Sequence, residues 1–82
     1  MMHVTICTRE DYATQAKLLE AFAVMGVYPE DEFDMEVPLP TGFLRFRLGT
    51  EFFDVFSDAW VVDLQGSDEL VKRVLAVLAE AS

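Results

Sequence analysis

Cysteine is almost missing from this 82-residue sequence. Cys7 stands alone, so no disulfide can close within the chain, and a zinc site built on several cysteines is excluded. The apolar stretch before Arg9 is short and has no basic segment ahead of it, unlike a secretory signal. A lone thiol without such a signal fits a reducing, cytoplasmic setting. Positive charge is scarce too. Six Lys and Arg stand against 15 Asp and Glu, a formal charge of -9. A field of that sign repels phosphate backbones, so direct nucleic-acid binding is not expected, and anionic membrane surfaces are disfavoured. No run approaches the roughly 18 apolar residues of a membrane span. The four glycines are scattered at expected turns and caps, which leaves no glycine-rich phosphate loop and no sign of a cofactor.

What is present is apolar mass. Hydrophobic residues make up 52% of the chain, with seven Phe and one Trp, far too much for a disordered segment of this charge. The length accommodates one domain, residues 1–82. A chain this short buries a modest share of its unfolded surface, so a dense core or self-association has to supply stability.

Along the chain, residues 3–8 are rich in β-branched side chains and predict a strand. Val4 and Ile6 would point one way and His3, Thr5 and Cys7 the other. Thr8 then reads as a helix N-cap with Asp11 three residues on, and the helix is expected from Arg9 to Met25. Its apolar positions Tyr12, Ala16, Leu19, Phe22 and Ala23 recur at helical spacing. Gly26 is placed to end it in a left-handed cap, with Pro29 preventing continuation. The alternation of Phe33, Met35 and Val37 with Asp34 and Glu36 predicts an edge strand guarded by charge. Residues 38–42 hold two prolines and read as a loop.

Three further strands are expected at 43–48, 51–56 and 59–64, joined by tight turns at Gly49-Thr50 and Ser57-Asp58. With two-residue turns, the first hairpin pairs Leu44 with Val55, Arg45 with Asp54, Phe46 with Phe53 and Arg47 with Phe52. The second pairs Phe53 with Val62, Val55 with Trp60 and Phe52 with Asp63. Paired residues share a face. One face then carries Leu44, Phe46, Phe53, Val55, Trp60, Val62 and Leu64. The other carries Phe43, Arg45, Arg47, Phe52, Asp54, Phe56, Val61 and Asp63. The clean partition supports the register. Ser67 caps a second helix, with acidic residues in its first turn and a stripe of Leu70, Val74, Val77, Leu78 and Ala81, flanked by Val71 and Leu75. The order is β-α-β-β-β-β-α. Two amphipathic helices need one apolar sheet face to cover, which predicts an α+β two-layer sandwich with a mainly antiparallel sheet. The expected core is Ile6, Leu19, Phe22, Phe46, Phe53, Trp60, Val62, Val74 and Leu78.

Chemistry-bearing residues are few. Cys7 and His3 share a strand but lie about 13 Å apart, too far for a nucleophile and its base. A triad on His3 with Ser57 or Ser67 would lack both a nucleophile elbow and an oxyanion loop. Glu30, Asp31, Glu32, Asp34 and Glu36 invite a calcium reading, yet the spacing, glycine and closing glutamate of a calcium loop are missing. A solvated acidic edge accounts for them, and no metal is expected.

The second sheet face is the stronger signal. Three phenylalanines framed by two arginines and two aspartates are more than a solvated surface requires. The sequence therefore points to a non-catalytic protein-interaction module whose contact residues are Phe43, Arg45, Arg47, Phe52, Asp54, Phe56, Val61 and Asp63, with a homodimer expected. Two alternatives stand beside it. One is an acidic inhibitor or antitoxin-like partner steered onto a basic surface of another macromolecule. The other is a small-ligand binder or enzyme with a pocket near Tyr12, Tyr28 and Trp60.

Overall fold

A computed structural model describes residues 1–30 and 37–80. Within these residues, five strands form one antiparallel sheet: β1 (Met2–Thr8), β2 (Tyr28–Pro29), β3 (Gly42–Leu48), β4 (Glu51–Ser57) and β5 (Val61–Gly66). Two helices, α1 (Tyr12–Met25) and α2 (Asp68–Glu80), complete the order β-α-β-β-β-β-α. Across the sheet the strands run β1-β5-β4-β3-β2. Both helices pack on one face, as a two-layer α+β sandwich requires. The second strand is Tyr28–Pro29; the edge strand expected over 33–37 falls outside the described residues except for Val37.

The β3–β4 hairpin has the expected register throughout, with Phe43 opposite Phe56, Leu44 opposite Val55, Arg45 opposite Asp54, Phe46 opposite Phe53 and Arg47 opposite Phe52. Leu48 pairs with Glu51, so Gly49 and Thr50 form the whole turn. Gly49 alone takes a positive φ, 62°, which is the pattern of a type II′ turn and needs glycine at its first position.

The β4–β5 register differs from expectation. Val55 pairs with Leu64 rather than Trp60, a slip of four residues. Asp58 causes it. Its Oδ1 accepts from the backbone N–H groups of Trp60 (2.7 Å) and Val61 (2.8 Å), holding 58–61 as a longer turn. This Asx arrangement outcompetes a two-residue Ser57-Asp58 turn. An even slip preserves the faces, so Val62 and Leu64 still enter the core. Trp60 does not: it sits in the turn, 79% exposed, and its expected place in the core is corrected.

Two further corrections concern β1 itself and the start of the helix that follows it. A β-bulge between Thr5 and Cys7 moves Cys7 opposite Val62, onto the core side, while His3 stays opposite Gln65. His3 and Cys7 therefore lie on different faces. The strand pairing then continues past Thr8, because the Arg9 N–H donates to the Trp60 carbonyl at 2.9 Å. The helix consequently starts later than Arg9. Its N-cap is Asp11, whose Oδ1 accepts from the Thr14 N–H at 3.1 Å and whose Oδ2 accepts from the Thr14 hydroxyl at 2.7 Å. At the other end Gly26 caps the helix at φ 77°, and the Val27 N–H reaches back to the Phe22 carbonyl.

Helix α1 buries Gln15, Leu18, Ala21 and Phe22, while Tyr12, Ala16 and Ala23 face solvent. The expected stripe is rotated because Ala and Leu surround most of the helix and hide its periodicity. Helix α2 buries Leu70, Val71 and Val74, with Leu75 and Leu78 partly covered, and the Leu70 N–H donates to the Ser67 hydroxyl at 3.3 Å. At the centre of the core, Phe22, Phe46 and Phe53 pack with ring centroids 4.8–5.5 Å apart; Phe46 and Phe53 stack, and Phe22 meets Phe53 edge-on. Ile6, Leu19 and Leu78, expected in the core, pack against it partly buried.

Gln15 is the one buried polar side chain of α1. Its Nε2 donates to the Arg9 carbonyl at 2.8 Å, and its Oε1 accepts from the Leu39 N–H at 3.0 Å. One amide thus ties the loop before α1 to the loop that leads into β3. Leu39, fully buried, fills the space beneath.

Candidate functional site: the open face of the sheet

The helices cover one face of the sheet and leave the other open. Directly paired residues share a face, so the strand order assembles the open face in three rows. The first runs Thr5, Asp63, Phe56, Phe43. The second runs His3, Gln65, Asp54, Arg45. The third runs Phe52, Arg47, Tyr28. Phe43, Arg45, Arg47, Phe52, Asp54, Phe56 and Asp63 thus lie together on one surface. Val61, opposite Thr8 at one end of β5, borders it half-buried.

Three large apolar side chains, Tyr28, Phe43 and Phe52, are exposed together here. Phe43 is 68% and Phe52 47% exposed, whereas Phe22, Phe46 and Phe53 on the other side of the sheet are at most 2% exposed. Phe43 and Phe56 form an aromatic block with centroids 4.5 Å apart. The Arg45 guanidinium lies 5.9 Å from the centre of the Phe52 ring, within cation–π range. Arg45 Nε also donates to Asp54 Oδ1 at 3.1 Å. That pair is largely exposed and contributes little to stability, but it fixes the arginine over the middle row.

Four residues of the open face, Thr5, Tyr28, His3 and Gln65, went unread in the sequence as parts of it. Tyr28, 68% exposed, extends the third row from β2. A two-residue strand is too short to show alternation. His3 joins the second row because β1 lies beside β5, a neighbour relation that alternation alone does not reveal, and Gln65 joins it because β5 runs on to Gly66, past the expected end at residue 64. His3 Nε2 and Asp63 Oδ2 lie 3.0 Å apart. Asp63 Oδ1 is covered and has no hydrogen-bond partner among the described residues.

Other places offer less chemistry. The Cys7 thiol is half-buried, and its pKa is raised, first by burial and then by the Asp11 charge, which disfavours the reactive thiolate. The Ser57 hydroxyl is buried and accepts from Arg9 Nη1 at 2.9 Å, with no base beside it. Among the described residues, no three His, Cys, Asp or Glu side chains converge as metal ligands. The acidic stretch 31–36 lies outside them. A shallow groove of about 430 Å³ is lined by Leu19, Glu20, Ala23, Val27 and Pro29. It lacks convergent polar groups and does not involve Tyr12, Tyr28 or Trp60, where a ligand pocket was expected. No helix among the described residues is long and apolar enough to cross a membrane.

No family model matches this chain, and neither does a curated protein or a solved structure.

Proposed function

We propose that this protein is a non-catalytic interaction module that binds a protein partner through the open face of its sheet. The observation that carries the reading is the placement of Phe43 and Phe52, both substantially exposed, beside Arg45 and Arg47 on a single flat surface. Aromatic residues and arginine dominate the energetics of protein contacts, and the aspartates among them supply orientation. Solvation alone gives no reason to place such residues together. The lone half-buried thiol suits a reducing cytoplasm.

Site-specific photo-crosslinking in the producing cell tests this directly. A benzophenone side chain is placed at position 43 or 52, and at position 24 as a control, since Val24 on α1 is 79% exposed but lies on the helical layer. Discrete protein adducts from 43 and 52 but not from 24 are expected. Equal adduct patterns at all three positions, or none at 43 and 52, would remove the basis for the reading.

A further inference from the structure

We infer that the partner on the open face is a second copy of this chain, stacked sheet on sheet about a two-fold axis that runs along the β3–β4 hairpin. This rests on the interface reading above and names its occupant. The argument starts from the hairpin register. On the open face, β3 presents Phe43, Arg45 and Arg47, and β4 presents Phe56, Asp54 and Phe52 directly opposite them.

Consider a two-fold axis parallel to these strands, midway between them and between two stacked sheets. It carries β3 of one copy over β4 of the other and keeps each residue in its own row. Every pairing within the hairpin is then repeated between the copies. Phe43 meets Phe56 of the other copy, Arg45 meets Asp54, and Arg47 meets Phe52. Each contact joins aromatic to aromatic, cation to anion, or cation to ring, and no like charges oppose one another in these rows. An isologous interface needs this self-complementarity. It arises here because the hairpin itself is complementary across its strands. Arg45 and Asp54 form the middle row, where the twist of two aligned sheets displaces opposing residues least.

The dimensions are adequate. Sheets stack about 10 Å apart, a distance that phenylalanine and arginine side chains bridge from both sides. The two longer dimensions of the molecule are 29 and 28 Å, so its face is large enough for the ~500 Å² per copy that a stable dimer requires. The -9 charge of each chain opposes association, but beyond about 8 Å physiological salt screens most of that repulsion.

The test uses purified full-length protein and two charge reversals. Wild-type protein should sediment as a dimer at high micromolar concentration. Arg45→Asp places two aspartates over each other at both symmetric contacts, and Asp54→Arg does the same with arginines. Each variant alone should dimerise at least ~100-fold more weakly. Mixed in equal amounts, they restore opposite charges at both contacts, so the mixture should form a heterodimer. The double variant Arg45→Asp/Asp54→Arg keeps the pair within each chain as well as between chains and should dimerise within ~10-fold of wild type, which guards against misfolding of either single variant. A wild-type protein that stays monomeric at ~500 μM overturns the second copy, while photo-adducts to another protein at positions 43 and 52 would leave the interface reading in place. A dimer that neither the mixture nor the double variant restores overturns the placement of the axis.

Discussion

Gln15 offers the sharpest test of how the loops are held, because one side chain closes two backbone hydrogen bonds that no other described group satisfies. The informative change is Gln15→Leu, which keeps the volume and removes both polar atoms. The Leu39 N–H sits over a fully buried residue and would lose its acceptor. A buried donor left unpaired costs about 1–3 kcal/mol. The Arg9 carbonyl is only partly covered and would lose about 0.5–1.5 kcal/mol more. Exchanging an amide for a leucine in an apolar setting offsets roughly 1 kcal/mol of this. The net expectation is a loss of about 0.5–3.5 kcal/mol, centred near 2. Domains of this size hold only ~4–12 kcal/mol in total. Thermal unfolding followed by circular dichroism should therefore move down by about 8–16 °C at that central value. Hydrogen exchange gives a local reading: the Leu39 amide should exchange faster than the amides of β4, since its acceptor is gone. The 38–41 loop leads into β3, so any loosening also reaches the strand that carries Phe43 and Arg45. A Gln15→Leu protein with wild-type melting temperature and an unchanged Leu39 exchange rate would refute this account of the buried amide.

Other outcomes follow from the packing and the turns. Phe53→Ala removes a ring that stacks on Phe46 and meets Phe22 edge-on, and equilibrium denaturation should register a loss of about 3–5 kcal/mol. Trp60→Ala should change stability by no more than about 0.5 kcal/mol, because the indole is exposed in a turn; a large loss would return Trp60 to the core. Gly66→Ala would bring the new Cβ to 2.8 Å from Phe53 Cβ, and the clash should cost about 1–3 kcal/mol in the same assay. The Asp58 carboxyl is held below its ordinary value of 3.8 by the N–H groups of Val61 and then Trp60. The Asp11 carboxyl is lowered by the Thr14 hydroxyl and then the Thr14 N–H. Both contributions are present above about pH 4 and disappear as pH falls through the lowered folded-state values. Asp58→Asn keeps an oxygen acceptor without the titration, so its stability should fall less steeply than that of wild type between pH 4 and pH 2.

Much of this fold is legible in the sequence because the β3–β4 hairpin states its register twice. Gly49-Thr50 fixes the loop length, and the alternation of Leu44 and Phe46 with Arg45 and Arg47 fixes the faces. The seven open-face residues of β3, β4 and β5 that were expected to lie together do so for that reason. Where local chemistry competes with the pattern, the pattern gives way. Asp58 is as good at holding a longer turn as at ending a strand, so Trp60 leaves the core. Thr8 can cap a helix or stay in a ladder, and pairing with β5 decides for the ladder. Nothing local marks Gln15 for burial, because the group that donates to it, the Leu39 N–H, lies 24 positions away. Long-range neighbours such as β1 beside β5 leave no periodic trace, which is why His3 was not placed on the open face, while Gln65 was missed because the strand was expected to end at residue 64.

The central claim is that the open face, and not the helical layer, is where this protein meets its partner. A dilution series of two-dimensional amide NMR spectra from ~10 μM to ~1 mM tests it most directly. Concentration-dependent shifts should gather at 43–47, 52–56 and 63–65 and leave the exposed side of α1 around Val24 unchanged. Shifts gathered on α1 or α2 instead, with β3 and β4 unaffected, would contradict it.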